Sequence, residues 1–138
     1  MAVGILVDCF YYELGQSDFV HTFFSTISYN LEKDGWGTKY PLLMNDLYHN
    51  KLSWNDVKVA RTNLIEIEKQ LSKLSPEHIV WDIVDISKKP PWGETISPKV
   101  TNLANYFATA DGETFIKVIF KSMGVAVEDK YDMKLKKI

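Results

Sequence analysis

Seven apolar residues recur through the middle of this chain at helical spacing: Trp54, Val57, Ala60, Leu64, Ile67, Leu71 and Leu74, separated by 3, 3, 4, 3, 4 and 3 positions. That pattern puts all seven on one stripe of an α-helix. A helix with one apolar stripe must bury it, so the rest of the chain has to supply a second apolar layer. Ser53 reads as the N-cap, with Asp56 three positions on in a capping-box-like arrangement, and Ser75-Pro76 ends the helix.

The second layer is found on both sides of that helix. Residues 2–12 read as a strand whose two faces are both mostly apolar, Val3, Ile5 and Val7 on one and Leu6 and Phe10 on the other. Gly15 and Gln16 predict a turn, and Ser17 an N-cap for a helix with the stripe Val20, Phe23, Phe24, Ile27 and Leu31, stopped by Gly35. Residues 42–48 allow a short helix after Pro41, and 79–86 alternate as a second strand, with Ile79, Trp81 and Ile83 on one face. Residues 100–109 are ambiguous between strand and short helix. Asp111 is expected to cap a final helix carrying Phe115, Val118, Ile119 and Met123, and a short strand is expected around 133–135. Mixed elements without repeated βαβ units predict an α+β fold. The expectation is a single compact domain over residues 1–138, with a small, mostly antiparallel sheet packed against about three helices.

Composition narrows the function classes. The 138 residues are 46% hydrophobic, enough for a packed core, and the net charge of −2 selects no partner by itself. Residues 1–56 carry seven acids against three lysines, whereas residues 130–138 carry four lysines against Asp132 and read as a solvated basic tail. A basic face for nucleic acid is missing. No apolar run suits a signal peptide or a membrane span, and the lone Cys9 fits a reducing cytoplasm, so a cytoplasmic protein is expected.

The catalytic combinations are weak. Cys9 falls in an apolar strand, where a thiol behaves as a small hydrophobe and not as the partner of His21, His49 or His78. Those histidines lack metal-ligand spacing, and neither a metal nor a cofactor is expected. Asp82 and Asp85 would point to opposite faces of a strand, but Asp8 and Asp82 could meet if their strands were neighbours. What stands out instead is a pair of Gly- and Pro-punctuated loops that carry tryptophans, at residues 34–41 and 88–93. Large rings on stiff loops either plug a core or anchor a partner. Trp36, Tyr40 and Trp92 are the expected anchors, with Asp34 and Asp46 as an electrostatic rim.

Several of these segments together resemble a known family. They are Lys39-Tyr40-Pro41-Leu42-Leu43-Met44-Asn45-Asp46-Leu47-Tyr48, the Leu52-Ser53-Trp54 helix start, Pro90-Pro91-Trp92-Gly93 with Ile96-Ser97, and Asn102-Leu103 followed by Asn105-Tyr106-Phe107. In this order they resemble the immunity protein 70 family of bacterial polymorphic toxin systems, over about residues 2–125 and not beyond Asp129. The resemblance implies a small cytoplasmic α+β protein that binds the C-terminal domain of a cognate toxin and blocks it by non-covalent occlusion, without catalysis. It implies neither a nucleic-acid nor a membrane partner and leaves a homo-oligomer open. The competing expectation is a small enzyme or ligand-binding protein with a cleft at Asp8 and Asp82.

Overall fold

The computed structural model describes residues 2–91 and 97–137. Its sheet has three antiparallel strands in the order β2-β1-β3: β1 is Ala2–Val7, β2 is Phe10–Gln16 and β3 is Met133–Lys137. The single strand expected over 2–12 is a hairpin. It bends at Asp8, whose φ of 55° lies in the left-handed region that aspartate tolerates better than bulkier residues do. Cys9 therefore sits in an exposed turn and not in an apolar strand. No turn forms at Gly15 and Gln16, which end β2 instead. A register slip between Val3 and Gly4 leaves Leu14 unpaired, and it turns into the core with Val3, Ile5 and Val7. On the other face of the sheet the Tyr11 ring lies across Gly4, where an added Cβ would come within 2.6 Å of it.

Helix α1 (Ser17–Leu31) starts directly after β2, with Ser17 in the first turn and Gln16 in the cap position. Its apolar residues Val20, Phe23, Phe24 and Ile27 join the core. Its other side is a stripe of small polar residues, and it explains why 79–86 is not the expected strand. The Thr22 hydroxyl donates to the Trp81 carbonyl (2.9 Å), and Thr26 Oγ1 accepts from the Val80 N–H (3.0 Å). The Asn30 amide donates to the His78 carbonyl (3.0 Å), and Ser25 Oγ accepts from the Ile83 N–H (3.2 Å). Segment 78–83 thus satisfies its backbone against helix side chains, while β1 already has a strand on each side.

Beyond Leu31 the chain is held by one carboxylate. Glu32, almost fully buried, accepts from the Gly37 N–H through Oε1 (3.0 Å) and from the Lys39 and Tyr40 N–H groups through Oε2 (3.0 and 2.9 Å). This clamp shapes the loop with Gly35 and Gly37 at positive φ and delivers the chain into the expected short helix, which is a π-helical turn over Leu42–Leu47.

The central stripe is realised as a 3-10 turn, Trp54–Asp56, running into α2 (Val57–Leu71), which buries Val57, Ala60, Leu64, Ile67 and Leu71. The Ser53 side chain makes no cap bond; Asp132 Oδ1 accepts from the Trp54 N–H instead (2.9 Å), while Oδ2 pairs with Lys51 (3.2 Å). After a 3-10 turn at Pro76–His78, the ambiguous 100–109 stretch contains a short helix, α3 (Leu103–Tyr106), with an Asn102–Asn105 capping box. Thr114, not Asp111, caps α4 (Phe115–Asp129). The short strand expected around 133–135 forms as β3, so the basic tail is part of the sheet and not a solvated end, paired from Val7↔Met133 to Val3↔Lys137. Its exposed lysines Lys134, Lys136 and Lys137 suit an edge strand, because charge discourages further pairing. The result is an α+β fold in which one hydrophobic cluster draws on β1–β3 and on α1–α4.

Two consequences are measurable. In Glu32→Gln an amide NH2 faces backbone donors, so at least one buried N–H loses its acceptor. Urea unfolding should show a loss of about 1–3 kcal/mol, and a change within about 0.5 kcal/mol would mean the clamp contributes little. Asp132→Ala should cost about 1 kcal/mol at neutral pH. The Asp132 carboxyl is held below its ordinary value, chiefly by the Trp54 N–H and further by Lys51. A lowered native pKa stabilises above the ordinary carboxylate value of about 3.9 and loses that effect as pH falls through the native value. The gap between wild type and variant should therefore close on acidification, and a gap that persists in strong acid would contradict this cap.

Candidate functional site

Four segments remote in sequence converge at one surface. Helix α1 brings His21 and Phe24, the clamped loop brings Trp36, the π-helical turn leads into Tyr48 and His49, and the segment docked on α1 brings Asp82. Trp36 is half-buried, and its Nε1–H donates to the Met44 carbonyl (2.9 Å), which fixes the plane of the indole. The indole stacks on His21 (ring centroids 6.2 Å apart, 20° between planes) and lies 5.3 Å from the Tyr48 ring and 5.7 Å from that of His49. Tyr48 packs edge-on to His49 at 4.8 Å and against Phe24 at 4.6 Å, which ties the surface rings to the core.

A chain of polar contacts runs beneath these rings. His21 Nδ1 lies 2.7 Å from the Tyr48 hydroxyl and Nε2 lies 3.2 Å from Asp82 Oδ1; Asp82 Oδ2 lies 3.6 Å from Lys88 Nζ. With Asp82 ionised, the imidazole Nε2–H donates to it. Asp82 is held below the ordinary carboxylate range, first by the Val84 N–H and then by His21 and Lys88. Burial pushes the Tyr48 phenol up, and the nearby Asp82 charge adds to this. The phenol thus stays protonated and the carboxylate stays charged around neutral pH, an arrangement that orients side chains firmly.

The expected site residues separate. Trp36 lies at the centre of the cluster. Tyr40 is only 1% exposed, and its hydroxyl donates to Glu66 Oε2 (2.9 Å), so it is a core residue and not the exposed anchor expected. Burial, reinforced by Glu66, raises its phenol well above the ordinary value. Trp92 lies outside the described residues. Asp34 is exposed on the Trp36 loop, and Asp46 is half-buried in the π-helical turn. The Asp8–Asp82 cleft loses its premise, because 79–86 is not a strand, Asp8 occupies the exposed hairpin turn and Asp82 is bound to α1. The thiol–imidazole pairing fares no better: Cys9 lies in that turn, His21 and His49 pack around Trp36, and His78 contacts Ser75.

His21, Tyr48, His49 and Asp82 were missed as a group, because the intervals between positions 21, 48, 49 and 82 carry no periodicity. The available hint was a polar stripe on a helix otherwise destined for the core. Among the described residues no three His, Cys, Asp or Glu side chains are grouped to hold a metal ion, and no helix is long and apolar enough to cross a membrane.

The family model for immunity protein 70 matches residues 5–135. No curated protein and no solved structure is significantly similar to the chain. The match runs from β1 into β3, so it takes in the whole Trp36 cluster and also residues 130–135, which the resemblance had left out. With nearly its full length matched, the chain belongs to the immunity protein 70 family.

Proposed function

We propose that this protein neutralises a cognate bacterial polymorphic toxin by binding its C-terminal domain, without covalent chemistry and without a cofactor, in the cytoplasm of the cell that makes the toxin. The observation that carries this reading is the family match across residues 5–135. The surface around Trp36 supports it. Rings held by hydrogen bonds and by one another lose little entropy on binding, which is why aromatic residues dominate interface hot spots. Trp36 is the proposed central anchor, His49 borders it, and Asp34 and Asp46 form an acidic rim. Trp92 remains a proposed anchor on the strength of its loop. An interface of about 1,600 Å² would extend well past this cluster.

Co-expression with the neighbouring toxin gene, scored by growth rescue and by recovery of a stoichiometric complex, tests the role directly. Trp36→Ala should weaken toxin binding by more than about 1–2 kcal/mol. It should also lower the melting temperature, because the indole packs on Tyr48 and holds the Met44 carbonyl. His49→Ala separates the two effects, since this ring is exposed. Weaker binding at an unchanged melting temperature is the expected result. Wild-type affinity in both variants would remove this surface from the interface, and a toxin neither bound nor neutralised by the wild-type protein would remove the function.

A further inference from the structure

Next to the Trp36 cluster a groove of about 900 Å³ lies between the end of α1 and the segment 75–90. Tyr29 and Ile86 line it, and Val84 stands two residues from Ile86. These three are among the large hydrophobic side chains left in water, at 55%, 58% and 87% exposure. Turn positions ordinarily favour Gly, Asn, Asp and Ser, so two β-branched apolar residues there are unusual.

The turns that display them are firmly built. Asp82 Oδ1 accepts from the Val84 N–H (3.0 Å), the Asp82 carbonyl accepts from the Asp85 N–H (3.1 Å), and Asp85 Oδ1 accepts from the Ser87 N–H (3.1 Å). The Ile83 N–H is bound to Ser25 of α1, and Asp82 to His21. Val84 and Ile86 are therefore held outward by a preorganised loop, and such a loop loses little freedom on binding.

Charge indicates what fits. Among the described lining residues Lys88 and Lys89 are cationic, and the acid Glu77 accepts from the Ser75 hydroxyl. The described lining thus sets two lysines, of which Lys89 is the one not paired with Asp82, against a single carboxylate, on a chain whose net charge is −2. It is also continuous with the proposed interface, since Lys88 pairs with Asp82, Asp82 with His21, and His21 stacks on Trp36.

Building on the immunity reading, we propose that this groove and its Val84–Ile86 rim form a second recognition zone. It takes a segment of the toxin domain that presents an apolar side chain flanked by carboxylates. The apolar group lies against Tyr29 and Ile86, and the carboxylates face Lys88 and Lys89. Together with the acidic rim at Asp34 and Asp46, the groove lysines would orient the toxin by charge at both ends of the surface.

The test uses the full chain and the catalytically inactivated C-terminal domain of the toxin encoded beside it. Val84→Asp and Lys89→Glu alter exposed side chains, so both should keep the wild-type melting temperature. Each should weaken toxin binding at least about tenfold, the scale of a hot-spot residue. Wild-type binding should weaken as salt is raised, and Lys89→Glu should flatten that dependence. If the double variant binds like wild type while His49→Ala does not, the groove is not part of the interface, although the immunity reading stands. A wild-type protein that neither binds nor neutralises the toxin overturns that reading, and the groove proposal falls with it.

Discussion

The structure depends on α1 satisfying hydrogen-bonding groups that no regular element satisfies. Thr22, Ser25 and Thr26 are fully buried, and their hydroxyls occupy backbone groups of residues 80–83. Buried backbone donors and acceptors must be paired, and those of an isolated extended segment have no ladder to use. A helix is an unusual partner for such a segment, because its own backbone is already spent. Hydroxyl and amide side chains at helical spacing replace the missing strand, and the segment can then carry Asp82 to His21.

The same logic recurs just past the helix end, where Glu32 gathers three N–H groups of a loop that has no other internal ladder. These two devices, one along α1 and one immediately after it, bring Trp36 and the far more distant Asp82 to the same imidazole. The surface is thus an outcome of polar satisfaction inside the protein. Its rings were then free to be placed by packing on Tyr48 and Phe24. A tyrosine–histidine–aspartate row looks like a proton relay, but the raised Tyr48 phenol and the lowered Asp82 carboxyl hold its two ends in fixed protonation states around neutral pH, which suits a rigid recognition surface.

Legibility of the fold followed the strength of the periodicity. The α2 stripe was readable to the residue from Val57 to Leu71, because a one-sided apolar helix has few alternatives. Helices α1 and α4 were readable in body but not in their caps. Ser17 and Asp111 were expected to cap and do not, since cap identity depends on the conformation of one residue. At Trp54 the cap comes from Asp132, distant in sequence. Segments 2–12 and 79–86 had the same apolar alternation, yet one became a hairpin and the other no strand at all. Alternation states that a segment suits a pleated surface, not that a neighbouring strand is there to pair with it.

Of the candidate site, sequence marked Trp36 and its loop, because Gly and Pro exclude regular structure locally. It mistook Tyr40, five residues from Gly35 in the same loop, because burial is decided by what packs against a ring and not by the loop that carries it. Length, apolar content and helical periodicity by themselves determined an α+β chain with a sizeable core, and motif order pointed to the family. Only the tertiary structure decided that His21, Trp36, Tyr48, His49 and Asp82 meet, that the strand in the basic tail pairs with β1, and that Val84 and Ile86 stand in water. The first two rest on pairing between groups far apart in the chain, which has no local signature, and the third on local turns whose outward aim is set by docking on Ser25 and His21.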